Sequence, residues 1–171
     1  MNKYSKETFD CPTGEFKIVG EDGFVGNHKY YIIEFNDGYR TKARLDSIKN
    51  KDVNNPYYKV YYGVGCMGLP NKKLFKKTLY NRWLGILRRC YDINSIAYKY
   101  YGAKGVTVCD RWKCFEYFLE DVVTLEGYDE EKINNKHLIE LDKDVLCEKL
   151  SIFPKIYSPK TCIWLFLVIF R

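Results

Sequence analysis

The stretch Tyr98–Asp121, YKYYGAKGVTVCDRWKCFEYFLED, decides the fold. Gly102 and Gly105 frame a turn, Val106, Thr107 and Val108 form a short β-branched strand, and Asp110 stands where a cap for the next segment belongs. Phe115, Phe118, Leu119, Val122 and Val123 then recur at i, i+3, i+4, i+7 and i+8, the spacing of an amphipathic helix. Upstream, Phe75, Leu79, Trp83, Ile86, Leu87 and Cys90 fall on one helical face. The order is therefore helix, aromatic loop, strand, helix.

The first of these helices is cationic on its other side. Lys77, Asn81 and Arg88 lie opposite the apolar stripe and are flanked by Arg82 and Arg89. Between Lys72 and Lys113 there are eleven Lys or Arg against two acids, whereas Glu120 to Glu148 carries ten acids against three lysines. Such asymmetry points to a polyanion-facing middle followed by an acidic segment, although a solvated helix face beside a solvated loop would give the same pattern. Tyr98, Tyr100, Tyr101 and Trp112 read first as core. Interleaved with Lys99, Lys104 and Arg111, they also suit stacking or hydrogen bonding on nucleic acid.

Residues 13–68 are rich in turn signals and strand formers. HKYYIIEFNDGYRTKARL places strand-like residues on both sides of Asn36, Asp37 and Gly38, a hairpin signature, with further breaks at residues 20–26 and 54–56. The expectation is a small β-barrel or curled sheet over residues 1–68, joined through a glycine-rich hinge, GVGCMGLPNKK, to an α+β module over residues 69–171. The hinge lacks the GxxxxGK[ST] spacing of a phosphate loop.

Composition narrows the class. A chain of 171 residues, 46% hydrophobic and 17% aromatic, can bury a core, and its net charge of +6 is moderate. Seven cysteines without a signal peptide read as reduced thiols of a cytoplasmic protein, and Cys109 and Cys114 have no second pair at zinc-finger spacing. The apolar run CIWLFLVIF is nine residues long, too short to span a bilayer, so membrane partners are not expected.

The succession NRWLGILRRCYD, YKYYGAKGVTVCDRWKCFEYFLED, LIELDKDVL and YSPKTCIW resembles phage and prophage proteins described as HNH endonuclease-like, many associated with an apetala-type DNA-binding domain. The likeness runs from about Leu79 to Trp164, and GEFKIVGEDG, GYRTKARLDSIKN and YYGVGCMG look like the small β domain that precedes this region in many phage proteins. The resemblance implies DNA as partner, a bacterial host cytoplasm, and a C-terminal ββ hairpin carrying the site. An HNH centre needs a water-activating histidine, a metal ligand and an orienting asparagine. Here Lys143 follows Asp142 where an active relative has histidine, Thr161 stands in the asparagine position, and LFLVIFR replaces a polar helix. His137 would serve only in a different hairpin register. A lysine ammonium is no general base near neutral pH unless burial depresses its pKa by several units.

Asp142 and Asp144, two apart on an expected strand, are the candidate catalytic carboxylates and the candidate ligands for a hard cation such as magnesium. The reading that follows is a DNA-binding protein with a degenerate HNH-like end. Lys77, Arg82, Arg88, Arg89, Lys99, Tyr101, Lys104 and Arg111 are its nucleic-acid-binding residues. Two alternatives are a metal-dependent HNH-type nickase and a phage protein that binds a host defence or regulatory protein.

Overall fold

The computed structural model describes residues 7–133 and 138–166, and the chain divides into two compact units, Met1–Tyr58 and Lys59–Arg171. In the first, β1 (Thr8–Cys11), β2 (Gly14–Val25), β3 (His28–Phe35) and β4 (Arg40–Arg44) form an antiparallel sheet in sequence order, followed by the short helix α1 (Leu45–Lys49). Alternation puts Phe16, Ile18, Tyr31, Ile33, Phe35 and Ala43 on one face, where Ile48 of α1 closes the core. Register shifts between Ile18 and Gly20 and between Glu21 and Gly23 bend β2, so the sheet curls. It is not closed into a barrel. The turn after β3 forms as its sequence dictates: Asp37 Oδ1 accepts the Tyr39 N–H at 3.0 Å, and Gly38 takes a φ of +87°.

The second unit is built around α2 (Lys77–Tyr91), which buries Leu79, Trp83, Ile86, Leu87 and Cys90. Phe75, read as part of the same stripe, precedes the helix and is 41% exposed, because Lys76 is still extended. The chain then winds through single turns at Tyr98–Tyr100 and Gly102–Lys104. A Cβ on Gly102 would lie 2.2 Å from the Cys90 carbonyl oxygen, so this turn seats directly on the end of α2. β5 (Thr107–Val108), a turn at Asp110–Lys113 and α3 (Phe115–Val122) complete the helix, strand, helix order. Asp110 caps nothing: its carboxylate accepts from Lys113 Nζ at 2.7 Å.

After α4 (Glu130–Ile133), β6 (Ile139–Asp142) leads into α5 (Asp144–Lys149), β7 (Ile156–Tyr157) and β8 (Ile163–Phe166). β5 pairs in parallel with β7, and β6 pairs antiparallel with β8, Leu141 opposite Trp164. This is the C-terminal hairpin, with α5 and β7 inserted between its strands. Trp164 is buried and donates to the Val122 carbonyl at 2.9 Å, whereas Leu165 and Phe166 are exposed; the rest of the apolar run lies outside the described residues.

The segment expected to be a hinge begins inside the second unit. Cys66 N–H donates to the Lys113 carbonyl at 3.0 Å and the Cys66 carbonyl accepts the Phe115 N–H at 2.9 Å. Cys66 therefore forms a parallel bridge with Cys114. A Cβ on Gly65 would lie 2.5 Å from Leu87, so this glycine serves close packing and not swivelling. The bridge is made by backbone groups, and Cys66, Cys109 and Cys114 are all free thiols.

Candidate nucleic-acid interface

One flank of α2 carries Thr78, Asn81, Arg82, Gly85, Ile86 and Arg89, three or four residues apart, and faces Glu140 and Leu141 of β6 across a cleft of about 320 Å³. Arg82 Nη2 donates to the Ile139 carbonyl at 2.7 Å, and its guanidinium lies 5.3 Å from the Trp164 ring centre. Its Nε is buried and has no hydrogen-bond partner among the described residues. Burial pushes the Arg82 pKa down, Arg89 adds to this, and Glu140 only partly opposes it.

Arg89 is held differently. Nε donates to the Gly85 carbonyl at 3.1 Å, Nη1 donates to the Tyr157 hydroxyl at 3.2 Å, and the guanidinium lies 5.0 Å from the Tyr101 ring centre. Burial lowers its pKa, but the Tyr157 and Tyr101 hydroxyls outweigh it and the net direction is up. Both side chains stay cationic. Among the described residues neither forms an ion pair, and the carboxylate that lines the cleft with them, Glu140, acts on Arg82 only at longer range.

Lys77, Arg88, Lys99 and Lys104 are exposed in the same unit. Arg88 makes a loose contact with Asp92 at 3.6 Å, and the Nζ atoms of Lys99 and Lys104 lie 4.7 Å and 6.0 Å from the Tyr100 ring centre. Tyr101 is half-buried, with Arg89 and Lys143 each 5.0 Å from its ring centre, so it supports cations. Arg111 stands apart: Nε donates to Asp121 at 2.8 Å, Nη2 donates to Asp121 and Glu120 at 3.0 Å each, and the guanidinium packs on Tyr117. The Asp121 hydrogen bond, against burial, holds its pKa up. Trp112 is fully buried and donates to the same Asp121 at 2.9 Å. Arg111 and Trp112 of the opening stretch thus clamp α3.

The two candidate carboxylates do not share the side of a strand, because β6 ends at Asp142 and α5 begins at Asp144. Asp142 Oδ1 accepts the Val145 N–H at 3.0 Å, closing the first turn of α5. Asp144 accepts from Lys143 at 2.8 Å and Lys155 at 2.9 Å; burial raises its pKa, but these hydrogen bonds outweigh it and the net direction is down. Lys143 itself is 4% exposed, its ammonium 5.0 Å from the ring centres of Tyr101 and Tyr157. Thr161 is buried, donating to the Ile156 carbonyl at 2.6 Å. His137 lies outside the described residues. No group of three or more metal-ligating side chains occurs among those described.

A second cleft, about 390 Å³, was not foreseen. Tyr100, Lys104, Lys143, Phe153 and Lys155 contribute to its walls. Phe153 and Lys155 come from SIFPK, a stretch without helical or strand periodicity, which the pairing of β5 with β7 brings to the aromatic loop. No helix among the described residues is long and apolar enough to cross a membrane. Comparison with known proteins finds no matching family model, no matching curated protein and no matching solved structure.

Proposed function

We propose that this chain is a DNA-binding protein of the phage or prophage HNH-like kind, acting in the host cytoplasm by docking α2 and the aromatic loop on phosphates without cleaving them. The observation that carries this reading is the cleft on α2, where two arginines free of ion pairs among the described residues stand on one flank of a single helix. Guanidinium groups in this state match phosphate oxygens in shape and charge. Exposed Lys77, Arg88, Lys99 and Lys104 extend the cationic surface. Arg111, already ion-paired with Asp121 and Glu120, is left out of it.

The test is a salt titration of duplex binding, read by fluorescence anisotropy. Contact with about five phosphates gives log K falling against log salt with a slope of about 4 to 5. Arg88→Glu combined with Lys99→Glu alters two exposed side chains and lowers both affinity and slope for every sequence alike. A flat salt response refutes phosphate docking.

A further inference from the structure

Three ammonium groups, Lys104, Lys143 and Lys155, line the cleft of about 390 Å³ with Asp144; Lys155 is shared between Asp144 at 2.9 Å and Glu148 at 2.8 Å and Lys143 is held by Asp144, which leaves Lys104 outside any ion pair among the described residues. That volume falls within the range of about 300–1,000 Å³ typical of small-molecule sites. Tyr100 and Phe153 also line it, 58% and 69% exposed, so two aromatic rings meet water here. Cations sit beside both rings, Lys104 Nζ being 6.0 Å from the centre of Tyr100 and Lys155 Nζ 6.0 Å from that of Phe153.

Lys143 supplies the second, independent observation. Its ammonium is almost fully buried at this wall, yet among the described residues it makes a single hydrogen bond, to Asp144, and it lies 5.0 Å from the ring centres of Tyr101 and Tyr157. An ammonium carries three donors, so donor capacity remains for an acceptor entering the cleft. The cleft also adjoins the first one. Tyr101 lines it and carries Arg89 of the α2 cleft 5.0 Å from the same ring.

We infer that this cleft receives one unstacked nucleobase of a single-stranded or locally opened nucleic acid, held against Tyr100 and Phe153, with its phosphate on Lys104 and its edge acceptors toward Lys143. The inference rests on the proposed nucleic-acid binding and goes further, because it specifies the strand state. In a duplex the base faces are already stacked, so only an unstacked base presents a free face to an aromatic wall. Rings and cations together form the kind of platform that accepts any base.

The experiment measures anisotropy of a labelled 20-nucleotide single strand and of its duplex, for the wild type and for Tyr100→Ala combined with Phe153→Ala. Both side chains are exposed, so the variant keeps its core. The expected wild type binds the single strand more tightly than the duplex. The double variant loses about 5- to 100-fold in single-strand affinity, as stacking on one or two rings implies, and loses duplex affinity by a clearly smaller factor. 2-Aminopurine placed in the strand is quenched by the wild type and not by the variant. Equal wild-type affinity for both ligands, or an equal loss from both in the variant, overturns the inference, while duplex binding by the wild type still supports the proposed function. Binding to neither ligand overturns it together with the proposed function.

Discussion

Removing the Trp112 indole tests whether the centre of the opening stretch is core or surface. Its ring is fully buried, centred 5.1 Å from that of Phe118, and its N–H donates to Asp121 at 2.9 Å. Burying roughly 200 Å² of aromatic side chain at about 25 cal/mol per Å² is worth about 5 kcal/mol as an upper figure. Trp112→Ala is therefore expected to cost about 3 to 5 kcal/mol. Asp121 is not orphaned, because Arg111 still donates to both of its oxygens. Trp112→Phe keeps most of the buried area and loses the hydrogen bond, so it should cost only about 1 to 2 kcal/mol. The assay is denaturant unfolding followed by tryptophan fluorescence. The three tryptophans, Trp83, Trp112 and Trp164, all fall within Lys59–Arg171, so the signal reports this unit alone. A loss below about 1.5 kcal/mol for Trp112→Ala would refute the packing reasoning.

Two further outcomes follow from the C-terminal unit. Asp144 titrates below its ordinary value in the fold, so its contribution is present above about pH 3.9, the unfolded value, and disappears as pH falls through the lower folded value. Asp144→Asn should thus be less stable than the wild type at pH 7, with the gap closing in acid; denaturation midpoints across pH check this, and a constant gap would contradict it. Supercoiled plasmid should stay intact with magnesium, manganese or zinc above a protein-free control. Nicking that vanishes in Asp142→Ala would instead establish a carboxylate-held metal acting without histidine.

Much of the second unit was legible because its helices and strands obey single periods. Leu79, Trp83, Ile86, Leu87 and Cys90 are buried together, as are Phe115, Phe118, Leu119 and Val122. Short-range alternation misled at Asp142 and Asp144, where a local carboxylate-to-backbone hydrogen bond starts a helix instead of prolonging a strand. Glycines misled in residues 63–68, since the same residue serves flexibility or close approach and only the partner, here Leu87, tells which. Charge counting found Arg82, Arg89 and Arg111 alike, but the first two each reach a partner 57 or 68 residues away, whereas the carboxylates that hold the third lie within 10. The second cleft depended on a parallel strand pair, a contact between distant segments that local pattern does not encode.

That pair is only two residues long on each side, and one edge of β5 would ordinarily be open. Thr107 and Cys109 direct their N–H groups to β7, whereas Val108 turns both of its peptide groups the other way. The Tyr91 hydroxyl meets them, accepting the Val108 N–H at 3.0 Å and lying 3.4 Å from the Val108 carbonyl, to which it donates. One phenol at the last residue of α2 thereby takes the place of a neighbouring strand, satisfying both buried peptide groups of Val108 with a single oxygen atom.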